Sequence, residues 1–174
     1  LPLIWGFVRL PPEAALAPGQ TRAALPGWSE SEARTSRFFW LTTIAYFLLM
    51  GAQVGGIAHL FNRAAELIDR GSAATAVQIL ALASISGRLF GGWLLTYIST
   101  RAWLLGNAMG QGFGLLLIAV ADSAELAWLG ALVFGLTVGN LLMLQPVVLV
   151  EAFGLRAYAR IYASANAMTT LGVA

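Results

Sequence analysis

The chain has 174 residues, of which 59% are hydrophobic and only 10% are charged, and its formal net charge is +2. A soluble domain carries about 25% charged residues, so this composition excludes an ordinary soluble protein and indicates a membrane protein. The lack of cysteine and the single histidine in the sequence exclude a disulfide framework and a metal site built on thiolates or on several histidines.

The first segments of the chain do not form a complete membrane span. Residues 1–8, LPLIWGFV, are apolar but shorter than the roughly 20 residues that a span requires, so we interpret them as the end of a preceding transmembrane helix. This also indicates that the sequence is part of a longer protein. Residues 9–37 are rich in Pro, Ala, Ser and charge, which predicts a cytoplasmic linker. Within it, Ser29 followed by Glu32 is a capping box and predicts a short interfacial helix.

Residues 38–174 predict an all-α, multi-pass transmembrane bundle. The expected spans cover 38–62, 73–97, 102–121 and 126–150, and a fifth, 158–174, is truncated. A helix rises about 1.5 Å per residue, so each of the four full segments is long enough for a hydrocarbon core about 30 Å thick.

The arginines predict the orientation of the bundle. Eight of the ten lie in the linker or toward one side of the membrane, namely Arg9, Arg22, Arg34, Arg37, Arg88, Arg101, Arg156 and Arg160. The other side holds only Arg63 and Arg70, so the positive-inside rule places residues 9–37 in the cytoplasm. Because the arginines are scattered between apolar runs, they indicate topology and not a nucleic-acid surface. We expect a multi-pass protein of the plasma membrane, such as a bacterial inner membrane.

Glycines spaced by four residues occur in every full span. The sets are Gly51 with Gly55, Gly87 with Gly91, Gly106 with Gly110 and Gly114, and Gly135 with Gly139. Such faces let helix backbones approach closely. They are compatible with static packing and also with helices that slide during alternating access.

Polar residues inside the spans are candidates for function because each needs a partner or a cavity. Tyr46 and Gln53 are seven residues apart, share a helix face, and are candidates for substrate binding. His59 is either an interfacial histidine bonded to a carbonyl or a proton-coupling group, since histidine is the residue type best suited to proton exchange near physiological pH.

The third and fourth full spans also carry polar side chains. Asn107 and Gln111 lie on one face, where they either connect helices or contact substrate. Asn140 is a further substrate-binding candidate. Pro146 follows Gln145 and deprives a carbonyl of its usual donor, so it either opens a cavity wall or fits a curved bundle.

Arg88 lies inside the second full span, where an arginine costs at least ~2.5 kcal/mol. At 1.5 Å per residue it is about 22 Å from Ala73 and about 13 Å from Tyr97. Most of its neighbours on the same helical face are small, so we expect it to face the bundle; they are Ala81, Ser84, Gly91, Gly92 and Leu95. It either snorkels or pairs with a carbonyl, or its planar fork binds a carboxylate.

The sequence carries no sign of catalysis. No Asp or Glu lies inside a span, and there is no nucleophile with an evident base and no phosphate loop. We therefore expect no enzyme activity, no cofactor and no metal. The expected partners are the lipid bilayer, a small-molecule substrate of anionic character, and the missing N-terminal half of the same chain.

Several motifs taken together resemble the major facilitator superfamily, and more narrowly its oxalate/formate antiporter and monocarboxylate porter branch. They are VRLPPEAALAPG at 8–19, ARTSRFFWL at 33–41, AHL at 58–60, GRLFGGWL at 87–94 and EAFGLRAYARIY at 151–162. The resemblance implies helices seven to ten and part of eleven of a twelve-helix transporter. It also implies that Arg88 matches an arginine that binds the carboxylate substrate.

Gating or packing roles are expected for Gly87, Gly91, Gly92, Arg101 and Pro146. The chain departs from the resembled pattern at Thr96 and Tyr97, where the family usually has an acidic-basic pair, and at Ser84, where some relatives have an acid.

The leading hypothesis is a secondary active transporter of a small organic anion, by antiport or proton symport. The alternatives are an exporter of drugs or neutral metabolites from the same superfamily, and a membrane sensor that reuses the fold without transport.

Overall fold

The computed structural model describes residues 25–67 and 70–173, and this part of the chain is helical apart from its turns and one β-bridge. Its helices are α1 (Glu30–Thr35), α2 (Arg37–Leu67), α3 (Arg70–Leu94), α4 (Thr100–Val120), α5 (Ala124–Phe153) and α6 (Tyr158–Leu171). The prediction for residues 1–8 lies outside the described residues.

Four of these helices are long and apolar enough to cross a membrane. The qualifying segments are Arg37–Glu66, Ala73–Leu94, Thr100–Val120 and Ala124–Phe153. The predicted all-α, multi-pass membrane bundle is therefore confirmed. The helices differ from the predicted spans mainly at their ends, since α2 continues to Leu67 and α3 already ends at Leu94. The end of α3 tightens because Thr96 N donates to Trp93 O at 3.1 Å, an i→i+3 bond that closes the last turn.

The capping box predicted at the start of α1 is present. Ser29 N donates to Glu32 Oε2 at 2.7 Å, and Glu32 N donates to Ser29 Oγ at 3.3 Å. The hydrogen bonds from Ser29, with a smaller effect of the Arg156 charge, lower the pKa of Glu32. Glu32 is therefore ionised at neutral pH, and its capping contribution is lost only as the pH falls through that lowered pKa.

A β-bridge connects the segment before α1 to the turn between α5 and α6. Trp28 N donates to Phe153 O at 2.8 Å, and Leu155 N donates to Pro26 O at 3.0 Å. Gly154 lies at a φ of 73°, where a side chain is strained, and a Cβ there would lie 2.6 Å from Pro26 O. This glycine therefore allows the two bridged segments to approach each other. The bridge holds α1 at one end of the bundle.

Helix α5 is the centre of the fold. Apolar residues lie on all of its faces, and its buried residues run from Ala127 to Phe153, as expected for a helix with several neighbours, although leucines such as Leu129 and Leu142 are exposed. Helices α3 and α4 pack along it, while α2 packs mainly on α3 and α6. Large apolar side chains on the outer helices, such as Leu89 and Met109, are exposed. Polar side chains of three helices lie at the middle of α5, namely Arg88 of α3, Asn107 of α4 and Asn140 of α5 itself.

Candidate functional site

Helices α3 and α5 approach so closely that glycine is required on both. A Cβ atom on Gly87 of α3 would lie 2.9 Å from the carbonyl carbon of Leu136, and closer still to its oxygen. A Cβ on Gly135 of α5 would lie 2.7 Å from Leu80 O. Both clashes involve backbone atoms, which cannot move aside as a flexible side chain would. The predicted glycine faces of these two spans therefore meet each other.

Arg88 extends from α3 onto this interface. A Cβ added to Gly139 of α5 would lie 2.5 Å from Arg88 Cγ and 3.0 Å from its Nε, so the arginine stem packs on the bare backbone of α5. The rest of the side chain is exposed. Arg88 makes no hydrogen bond and no ion pair within residues 25–67 and 70–173. Its guanidinium thus has free donors while its stem is fixed against a neighbouring helix.

The structure brings Asn140 to the same interface. Asn140 is fully buried, its Nδ2 donates to Leu136 O at 2.9 Å, and its Oδ1 contacts the position where a Cβ of Gly91 would lie. The Oδ1 atom has no hydrogen-bond partner among the described residues. Because Asn140 follows Gly139 directly in α5, it lies beside the residue on which Arg88 packs. Two of the four substrate-binding candidates are therefore close together.

Tyr46 and Gln53 lie elsewhere in the bundle. Both are buried, Tyr46 packing with Met50 and with Leu141 of α5. Gln111 Nε2 of α4 donates to Leu49 O at 2.8 Å, one turn from Gln53. Hence Tyr46 contacts the α5 face that carries Leu141, whereas Arg88 contacts the face that carries Gly139.

The buried polar residues of α4 and α5 connect helices. Besides the bond from Gln111, Asn107 Nδ2 donates to Thr137 O at 3.2 Å, so both residues connect helices, which is one of the two roles expected for them. Gln145 Nε2 donates to Thr169 Oγ1 of α6 at 2.9 Å. Several buried side-chain oxygens nevertheless have no partner in the described part of the chain, namely those of Thr43, Tyr46, Gln53, Asn107, Gln111, Asn140 and Gln145. This interior is more polar than packing alone requires.

His59 lies near the other end of α2 from the β-bridge, apart from Arg88. It is exposed and lines a cavity of about 550 Å³ between α2 and α4. In the same cavity Arg63 donates to the carbonyls of Ala119 and Ala121, both at 3.4 Å. His59 therefore lies outside the α3–α5 interface. Its proton-coupling role stays a prediction.

The gating candidates differ in their surroundings. Gly87 and Gly91 pack against α5, whereas a Cβ on Gly92 would meet nothing within 4 Å. Arg101 is exposed and lines a cavity of about 300 Å³ together with Glu151, whose Oε1 accepts from Thr100 Oγ1 at 2.5 Å. Pro146 lies inside α5, which continues through it.

Sequence reasoning missed Gly139 as part of the site. The signal that marks it is its position four residues after Gly135 and directly before Asn140, but its contact with Arg88 depends on the register of α5 against α3. Within the described ranges, no three His, Asp or Glu side chains are grouped so that they could hold a metal ion.

The described helices define a multi-pass helical membrane protein with a polar site between two tightly packed helices. The family model of the Major Facilitator Superfamily matches residues 1–174. The chain therefore belongs to the major facilitator superfamily, whose members are membrane transporters. No curated protein matches the sequence.

Proposed function

We propose that the protein is a secondary active transporter of a small organic anion, such as a mono- or dicarboxylate, that works by alternating access. The observation that carries the proposal is the exposed guanidinium of Arg88 within an apolar helix, which has no partner among residues 25–67 and 70–173. A charge at this depth is costly, and a guanidinium offers parallel donors that match a carboxylate. The resemblance to the oxalate/formate and monocarboxylate branch supports the same substrate class.

The proposal extends to the rest of the transporter. The substrate path lies between this bundle and a second half of the same chain, and alternating access moves one half against the other. At the α3–α5 interface, the donors offered to an anion are those of Arg88, and Asn140 is its polar neighbour. The coupling is antiport or proton symport, and in the second case His59 is the candidate group within this bundle.

Transport of labelled carboxylates by the complete protein tests the proposed function. In proteoliposomes, we expect saturable uptake of at least one of formate, lactate and oxalate, with faster exchange when the same anion is inside the vesicle if the protein is an antiporter. Protein-free liposomes and a neutral solute of similar size, such as glycerol, serve as controls. Uptake of neutral solutes or of drugs without uptake of any carboxylate would instead favour the exporter alternative.

The orientation is proposed from the arginine distribution, with α1 and the turn at Ser99 in the cytoplasm of the cell. Both Ser99 and Ser123 cap the starts of helices, α4 and α5 respectively, in turns on opposite sides of the bundle. Residues 1–174 contain no cysteine, so a cysteine at either position is a specific probe once any cysteine elsewhere in the complete protein is replaced. In intact cells we expect an impermeant maleimide to label a cysteine at Ser123 and not one at Ser99. Labelling of the cysteine at Ser99 and not of the one at Ser123 would show that the orientation is the opposite of the proposed one.

A further inference from the structure

Each of the two central glycine faces accommodates a polar side chain of the opposite helix. Arg88 of α3 packs on Gly139 of α5, and Asn140 of α5 packs on Gly91 of α3. The two contacts involve consecutive residues of α5 and residues one turn apart on α3. A side chain at either glycine would overlap the polar residue that packs on it. The pairing is therefore reciprocal and depends on one register of the two helices.

We infer that Gly139 is a positioning residue that sets the direction of the Arg88 guanidinium toward the anion, an inference that rests on the proposed function. The bare backbone at Gly139 lets Arg88 Cγ and Nε approach α5, which limits the positions that this flexible side chain can take. Asn140 fills the space at Gly91 and so keeps Gly139 beneath Arg88. The substrate class that benefits is a planar carboxylate, because bidentate pairing requires the guanidinium in one orientation.

Adding a single methyl group at Gly139 changes this geometry. The new Cβ would lie 2.5 Å from Arg88 Cγ and would also contact the carbonyl oxygen of Ser84. The Ser84 oxygen is backbone, so the strain falls on the helix spacing and on the arginine stem. An arginine pushed away from α5 keeps its charge and loses its orientation. Gly139→Ala therefore tests the orientation of the Arg88 guanidinium while its charge is kept.

Gly135→Ala is the matched control for helix spacing. Its Cβ would meet Leu80 O at 2.7 Å and Ala83 Cβ at 2.8 Å on the same helix pair, and none of the three nearest atoms belongs to Arg88. Both substitutions therefore overpack the α3–α5 interface. The difference between the two variants reports the contact with Arg88.

The first experiment measures the contact itself and needs no ligand. Melting temperatures of the purified complete protein are compared for Gly139→Ala and Gly135→Ala, each with Arg88 and with Arg88→Ala. We expect Arg88→Ala to recover part of the melting temperature lost through Gly139→Ala and none of that lost through Gly135→Ala. If the loss caused by Gly139→Ala is the same in both backgrounds, Arg88 does not pack on Gly139 and the inference is wrong.

The second experiment measures binding below the melting temperature of every variant, with formate, lactate and oxalate as probes. We expect Gly139→Ala to weaken binding at least tenfold relative to Gly135→Ala, and to add no further loss once Arg88 is replaced by Lys. Equal affinity of the two glycine variants would overturn the positioning role. If the parent protein binds none of the probes, the proposed function and the positioning role both fail, while the melting temperatures still decide whether Arg88 packs on Gly139.

Discussion

Arg88→Lys is expected to fold and insert like the parent protein and to bind carboxylates at least roughly tenfold more weakly. Lysine keeps the charge and also snorkels, but it lacks the planar fork that binds a carboxylate with two parallel hydrogen bonds. A charge-assisted hydrogen bond contributes about 1.5–3 kcal/mol, and 1.4 kcal/mol corresponds to a tenfold change in affinity. The measurements are binding and uptake of formate, lactate and oxalate by the purified complete protein.

Arg88→Gln extends the same series. Glutamine removes the charge, so we expect binding and transport to fall further than in Arg88→Lys while membrane insertion is no worse than in the parent. Expression level and melting temperature are the controls for folding. If both variants bind and transport an organic anion like the parent, Arg88 only snorkels or stabilises the fold, and the proposed substrate class loses its main support.

Gly87→Ala is expected to destabilise the bundle strongly. The added Cβ would overlap the carbonyl group of Leu136, and its distance to Leu136 Cα would be 3.0 Å, so α3 and α5 would have to separate. Overpacking of this kind typically costs about 1–3 kcal/mol. Gly92→Ala, five residues further along the same helix, is the control because its Cβ would meet nothing within 4 Å. The expected result is a lower melting temperature for Gly87→Ala and an unchanged or slightly higher one for Gly92→Ala.

A melting temperature of Gly87→Ala equal to that of the parent protein would contradict the close α3–α5 packing on which the candidate site depends. A loss in Gly92→Ala as large as that in Gly87→Ala would show that the outward face of α3 is also covered in the complete protein.

Local features of this chain were predictable from sequence because their partners lie close in the chain. The capping box joins Ser29 and Glu32, which are three residues apart, and it was predicted with its helix. The four full spans follow from length and composition alone. Their ends were less predictable, since α3 closes early through a bond between Thr96 and Trp93 that no hydropathy pattern encodes.

The pairing of the glycine faces was not predictable. Spacing by four residues marks a smooth face, but the partner of that face depends on how the helices are arranged. Gly87 and Gly135 contact the opposite backbone, whereas a Cβ on Gly55 or Gly106 would meet nothing within 4 Å in the described part of the chain. The same spacing therefore corresponds to close backbone contact at some positions, among them Gly114 of α4, and to open space at others.

The polar candidates show a similar limit. Tyr46 and Gln53 were expected to share a helix face, and the structure buries both. Their sequence spacing does not reveal that the buried face packs toward α4 and α5, on the other side of α5 from Arg88. For Arg88, the small residues around it indicated a position at a helix interface, but its contact with Gly139 requires the register of two helices that are separated along the chain.

Protection of Arg88 from an arginine-specific reagent is the most direct test of anion binding at this residue. The complete protein is treated with phenylglyoxal in the presence and absence of saturating formate, lactate or oxalate, and modification of each arginine is followed by mass spectrometry of its peptides. Arg160, which is exposed near the start of α6, and Arg63, in the cavity near His59, are internal controls. We expect a transported carboxylate to slow modification of Arg88 and to leave modification of Arg160 and Arg63 unchanged. Modification of Arg88 at the same rate with and without every carboxylate that the protein transports would contradict anion binding at this residue.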